Sequence, residues 1–319
     1  MELDNKIIVV SNRNVNKGQT DHTLFGDDLN PLGAEQLNVA LASPDSDKNW
    51  QLELLSNPSR PAYKKPATFD VFKEALKLNN GKDWVFFVHG FNQDLRKNLD
   101  KCAEIQSYGV NVVAFSWPSN PGPQEIWKKQ KEYKRAVKNA KRSVIALERL
   151  MEKIREYIKL FQNENCHINI SMVVHSLGNT LFEEFVKSST YDNECEVYAN
   201  VVLHQADCDS LYHEQWVNKL VNHTRIYITQ NGKDAVLASS DAVNHNRLGN
   251  SPDNCSAGRV CYMNFTNGPG VGYSHRPWNN PGKTVPAIGN FYEAIFKGQR
   301  GEFVDGWQYN TYRNYYYID

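Results

Sequence analysis

Ile168-Asn169-Ile170-Ser171-Met172-Val173-Val174-His175-Ser176-Leu177-Gly178-Asn179 decides how this chain is read. Apolar, β-branched residues run straight into a hydroxyl and a glycine. Thr180-Leu181-Phe182-Glu183-Glu184-Phe185 then follows with the pattern of a helix. A serine between strand and helix has its Oγ lifted out of the sheet and held at a helix N-terminus. The tight turn and the positive end of the helix dipole both suit a nucleophile that carries negative charge through a tetrahedral intermediate.

Outward from this turn, strand-like and helix-like runs alternate, which predicts a mainly parallel sheet with crossover helices. Trp84-Val85-Phe86-Phe87-Val88 reads as a strand and 95–108 as a helix; 111–115 is the next strand, closed by Trp117-Pro118-Ser119-Asn120-Pro121-Gly122-Pro123. Strands over 197–203 and 225–229, with a helix over 211–221, complete the set. The span 124–161 is the longest predicted helix, because apolar residues from Ile126 to Phe161 recur every three or four positions. Upstream, Ile7-Ile8-Val9-Val10 and 36–41 read as strands and 66–78 as a helix; a further helix is expected around 291–297. One domain over 1–319 is the simplest organisation: a sheet extension (1–82), a catalytic core (83–298) and a tyrosine-rich tail (299–319).

The 319 residues carry 36 basic and 36 acidic side chains, so no global field attracts nucleic acid or an anionic membrane. Lys128, Lys129, Lys131, Lys134, Arg135, Lys138, Lys141 and Arg142 crowd one helix. The simplest reading is a solvated outer face, with a weak surface contact through 128–142 as the alternative. The N-terminus lacks the pattern of a signal peptide and no apolar run is long enough to span a membrane, so a soluble, cytoplasmic protein is expected. The six cysteines form no C-x-x-C pair; Cys255 and Cys261 could pair in an oxidising compartment.

Acyl transfer needs a nucleophile, a base, a group that orients the base, and donors for the oxyanion. His89-Gly90-Phe91-Asn92 follows the strand at 84–88, where a glycine lets backbone N–H groups turn toward a ligand. The backbone N–H groups of Phe91 and Leu177 are the expected oxyanion donors. His89 is read as bracing its own loop rather than transferring protons.

Val-His-Gly-Phe-Asn (88–92) together with Val-His-Ser-Leu-Gly-Asn (174–179) resembles the α/β-hydrolases. More narrowly, the chain resembles a bacterial α/β-hydrolase family of unknown function related to esterases and lipases. Ser11-Asn12-Arg13, Phe115-Ser116-Trp117-Pro118-Ser119 and Ala206-Asp207-Cys208-Asp209 extend the resemblance, which runs from about the first strand to His275. It implies the α/β-hydrolase fold, a mainly parallel central sheet with helices on both faces. Two departures stand out. Val174 occupies the first glycine position of G-x-S-x-G, and the region around His275 is longer and richer in Pro and Gly than the family pattern.

The acid has two candidates. Asp234 follows the strand at 225–229, a common acid position in the superfamily, and Asp207 follows the preceding strand. The chain order Ser, acid, His favours Asp234. Capping of a helix is the alternative role for either. The base is sought among His245 and His275. His275 lies in Gly270-Val271-Gly272-Tyr273-Ser274-His275, and the resembled family carries its histidine in a similar glycine-rich setting near a tyrosine. His204, Asp207, Asp209 and His213 could be read as metal ligands, but their spacing matches no compact metal motif.

The expectation is therefore a serine esterase, with amides and thioesters as less favoured substrates, that acts through an acyl-enzyme on Ser176, with His275 as base and Asp234 as its orienter. No cofactor and no metal are called for. The substrate would be a small-molecule or lipid-like acyl compound, and no nucleic-acid partner is expected. The alternative is a catalytically inactive hydrolase-fold module that binds a partner.

Overall fold

The computed structural model describes residues 5–47, 49–55, 74–75, 77, 80–119, 129–161, 168–220, 224–241 and 246–319. The predicted helix at 66–78 falls largely outside these residues, as do the start of the helix expected from 124, most of the Trp117–Pro123 loop, Cys166 and His245. The chain divides into two compact units, Met1–Ile168 and Asn169–Asp319.

The first unit is built on β1 (Ile7–Ser11), β2 (Arg13–Val15), β3 (Phe25–Leu29), β4 (Asn38–Pro44), β5 (Trp50–Leu54), β6 (Trp84–Val88), α1 (Leu95–Gln106), β7 (Asn111–Ser116) and α2 (Lys129–Phe161). β6, β7 and β1 pair in parallel. β4 and β5 continue from β1 in antiparallel fashion, and β2 pairs with β3 as a separate ribbon. Every residue of β1, β6 and β7 is buried. That explains why these strands read as unbroken apolar runs: both faces are covered, as parallel sheets require. Asp94 caps α1 by accepting from the Lys97 N–H at 2.8 Å, and Gly109, with φ +80°, ends its following turn.

In α2 the apolar stripe turns inward. Ala140, Leu147, Met151 and Ile154 are buried, whereas Lys131, Lys134, Arg135, Lys138, Lys141 and Arg142 are exposed. A fully buried arginine, Arg13, ties this unit together. Its Nε donates to Ser116 Oγ (3.1 Å) and its Nη2 to the Gln93 carbonyl (2.6 Å). Burial lowers its pKa to about 10, against the opposing pull of Asp27 and Asp94.

The second unit contains β8 (Ile170–His175), α3 (Gly178–Lys187), β9 (Asn200–His204), α4 (Glu214–Val217), β10 (Arg225–Gln230), α5 (Ala235–Asp241), β11 (Val260–Asn264), α6 (Asn280–Thr284), α7 (Pro286–Phe296), β12 (Gln308–Asn310) and β13 (Tyr315–Tyr317). β8, β9, β10 and β11 are successive parallel neighbours. β13 joins β11 in parallel, and β12 pairs with β13 antiparallel. Parallel pairing places the C-terminal ends of β8 to β11 along one edge, so the turns that carry Ser176, Asp207 and Asp234 open on the same side. α7 anchors the opposite ends: the Ile295 carbonyl accepts from both Ser171 Oγ and Asn200 Nδ2, each at 2.8 Å.

Three elements differ from expectation. The strand expected at 197–203 starts at Asn200, because Glu194–Val197 forms a 3-10 turn entered from Asn193 at φ +57°. The helix expected at 211–221 shrinks to α4 and a 3-10 turn, Asn218–Leu220. Tyr212, at φ +59°, breaks the helical path, and Leu211 and Tyr212 are 58% and 68% exposed. The tyrosine-rich tail supplies β12 and β13, whose Tyr309 and Tyr316 rings meet across the strands with centroids 4.9 Å apart and planes tilted by 46°.

Among the described residues no helix is long and apolar enough to cross a membrane. Cys102, Cys195, Cys208, Cys255 and Cys261 are free thiols, so Cys255 and Cys261 are not paired. Cys255 Sγ instead lies 3.4 Å from the Pro252 carbonyl, and burial raises both thiols to about 12.

Candidate active site

Ser176 directly follows β8 and adopts φ +55°, a left-handed conformation that a residue with a Cβ enters at a cost of about 1 kcal/mol or more. The surrounding backbone over-determines it. The Ser176 N–H donates to the His204 carbonyl (3.0 Å), and the Ser176 carbonyl accepts from the N–H groups of Asp207 (3.1 Å) and Asn179 (2.9 Å). Asn179 Nδ2 adds bonds to the carbonyls of Val174 (2.9 Å) and Ser176 (3.0 Å). The strained turn thus forms with valine in the first glycine position, with an amide from the first turn of α3 clasping it. Leu177 begins that helix, so its N–H belongs to the dipole's positive end.

Asp234 lies at the turn after β10 and is 1% exposed. Its two oxygens do different work. Oδ1 accepts from the N–H groups of Val236 (2.9 Å) and Leu237 (3.1 Å), which caps α5. Oδ2 lies 2.6 Å from His275 Nδ1. A carboxylate only accepts there, so the proton of a neutral His275 sits on Nδ1 and the lone pair on Nε2. That Nε2 is buried and has no hydrogen-bond partner among the described residues.

The His275 loop is pinned by a residue that sequence reasoning missed. Asn231, fully buried after β10, donates from Nδ2 to the carbonyls of Gly272 and Ser274, both at 3.0 Å. Its Oδ1 accepts from the Lys233 N–H at 3.0 Å, so one amide ties the turn of the acid to the loop of the base. Gly272, at φ +49°, takes a conformation that a side chain would oppose. An asparagine in Asn-Gly-Lys-Asp carries a turn signal, but nothing in the sequence names its distant partners.

The alternative acid is committed elsewhere. Asp207 Oδ1 pairs with Arg247 Nε (3.1 Å) and accepts from Ser240 Oγ (2.8 Å). Each side chain of the metal-ligand alternative also has a protein partner. Arg247 Nη1 holds Asp209 at 2.7 Å, His204 Nε2 lies 2.9 Å from Tyr292 OH, and His213 bridges the Ser210 carbonyl and Tyr262 OH. Among the described residues no three His, Cys, Asp or Glu are arranged to hold a metal ion.

Phe91 belongs to the first unit, in the turn after β6. Gln93 Nε2 donates to the carbonyls of Phe91 and Asn92, both at 3.0 Å, and Arg13 holds the Gln93 carbonyl from beneath. His89 braces this loop. Its Nε2 accepts from the Trp117 N–H (3.1 Å), its Nδ1 faces the Gly90 carbonyl (2.9 Å), and its ring stacks on Trp117 with centroids 5.4 Å apart.

Burial holds the pKa of His89, His204 and His213 below the ordinary 6.5. For His204 the nearby His275 and Arg276 act in the same direction. Such histidines bind protons more readily once unfolded. Their stabilising effect is complete above pH 6.5 and is lost as pH falls below it. The melting temperature is expected to be flat above pH 7 and to fall steadily from pH 6.5 to 5, each unit costing up to about 1.4 kcal/mol per histidine. Thermal unfolding followed across that range checks this; a constant midpoint would show that these rings titrate normally in the fold.

A family model described as "Alpha/beta hydrolase of unknown function (DUF900)" matches residues 64–257, more than half of the chain. The matched span includes Ser176 and Asp234 and ends before His275, short of the extent implied by the sequence resemblance. No curated protein matches the chain.

Proposed function

Because the chain belongs to this α/β-hydrolase family, whose function is not assigned, we propose that it is a serine hydrolase that cleaves carboxylic esters. The observation that carries the reading is the 2.6 Å contact of Asp234 Oδ2 with His275 Nδ1, which leaves a lone pair on a buried Nε2 with no hydrogen-bond partner among the described residues. In the proposed cycle Nε2 takes the Ser176 Oγ proton as Oγ attacks the ester carbonyl. The tetrahedral oxyanion is met by the Leu177 N–H at the start of α3; a second donor, the Phe91 N–H, is proposed on sequence order alone. The imidazolium then protonates the leaving alkoxide, which departs as the alcohol and leaves the acyl group on Ser176. A water deprotonated by His275 attacks that acyl group, the acyl–Oγ bond breaks as His275 returns the proton to Ser176 Oγ, and the acid is released.

Asp234 keeps Nδ1 protonated throughout and stabilises the imidazolium that forms. Esters are favoured over amides because an alkoxide leaves with less help than an amine. The test is labelling with a fluorophosphonate, which reacts only with an activated serine. A single adduct on Ser176, located by peptide mass spectrometry and lost in His275→Gln, is the expected result. An unlabelled, folded protein would overturn the reading in favour of a binding module.

A further inference from the structure

Asp234 grips the proposed base from one side, and a second histidine meets it from another. His175 is the last residue of β8 and only 1% exposed. Its Nε2 lies 3.3 Å from the His275 carbonyl oxygen, an atom that can only accept, so Nε2 carries the proton. The His175 and His275 ring centroids are 4.7 Å apart and tilted by 60°. Behind His175 stands His204, its ring 5.5 Å away. Trp278 lies 5.1 Å from His175 and 4.1 Å from His204, and Tyr292 OH is bonded to His204 Nε2.

Strand register explains how this row arises. His175 pairs with His204 and Ser171 with Asn200, so the alternating pleat sends all four side chains to the face covered by α7. His275 lies over the end of that row. Among the described residues, the ionisable groups that meet this row include His204, His275 with its partner Asp234, and Tyr292 across His204, with Arg276 acting on His204.

We propose that His175 is a positioning residue for the base: its neutral Nε2–H holds the His275 carbonyl and its ring supports the His275 ring, so that Nδ1 stays on Asp234. Only the name "base" rests on the hydrolase reading; the positioning itself does not. A mere packing role would require the volume of a flat ring and nothing more. Positioning requires the N–H. The variants His175→Phe, which keeps a ring and loses the donor, and His175→Gln, whose amide can donate, separate the two.

The readout is the low-field proton NMR resonance of the His275 Nδ1–H in its bond to Asp234, identified by its absence in Asp234→Asn and His275→Gln. His175→Phe is expected to lose or broaden this signal at an unchanged melting temperature, and His175→Gln to retain it. In parallel, kcat on an acyl ester should fall about 10- to 100-fold in the phenylalanine variant, with KM little changed, and recover in the glutamine variant. Should the phenylalanine variant not fold, His175→Met, equally without a donor, is read in the same way. Retention of both signal and rate without a donor at 175 would overturn the proposal. A protein whose NMR signal behaves as expected but whose Ser176 resists the fluorophosphonate would instead overturn the hydrolase reading and leave this one standing.

Discussion

Ser176→Ala is expected to reduce turnover of a p-nitrophenyl acyl ester by about 10⁴- to 10⁶-fold, to the level of the buffer, while the melting temperature stays nearly constant. The rate falls because no other atom at the turn can form the acyl-enzyme. Stability survives because the turn is held through backbone atoms of residue 176: its N–H on the His204 carbonyl, and its own carbonyl beneath Asp207 and Asn179. Alanine keeps each of those bonds and meets the same left-handed φ with a side chain no larger than serine's. Steady-state kinetics and a thermal scan on one preparation check both halves. A variant as active as the parent would remove Ser176 from the mechanism.

Asp234→Asn is expected to lower kcat about 10⁴-fold with little loss of stability. The amide can place its NH₂ toward His275 Nδ1, which moves the ring proton to Nε2 and leaves nothing there to accept from Ser176. The amide oxygen can still cap α5 through Val236 and Leu237, since asparagine caps as well as aspartate. Asp234→Ala loses both functions and should cost a further ~1 kcal/mol of stability. Comparing the two by kinetics and denaturant titration separates the oxygen that orients from the oxygen that caps. Full activity in Asp234→Asn would return the role of acid to Asp207, despite its ion pair with Arg247.

Much of this was legible in the sequence, for a specific reason. β6, β7 and β8 are covered on both faces, so they appear as unbroken apolar runs. Along β8 to β11, which pair in parallel, the C-terminal turns share one edge, which makes chain order a guide to what can meet. Ser176 stands out by the strand-to-helix pattern around it, Asp234 by chain order and His275 by its glycine-rich loop; the contact of Asp234 with His275 is what the structure adds. What the sequence hid depends on partners far along the chain. Asn231, Asn179 and Gln93 are buried amides with no periodic signature; each becomes meaningful only once the carbonyls it binds are in place. The helix read at 211–221 had the right apolar spacing in Trp216, Val217 and Leu220. Its first turn yields to a left-handed Tyr212 and to His213, whose Nδ1 is drawn to the Ser210 carbonyl. β12 and β13 are three residues each, too short for a pattern, and exist because β11 offers backbone groups to pair with.

That last pairing carries a practical warning for anyone who edits the C-terminus. Tyr316 and Tyr317 cover Met263 and Asn264 of β11. Trimming the chain at Trp307 would strip that cover and hand an unsatisfied strand margin to neighbouring molecules. A sticky, oligomeric preparation of a shortened protein would report the missing hairpin rather than natural assembly.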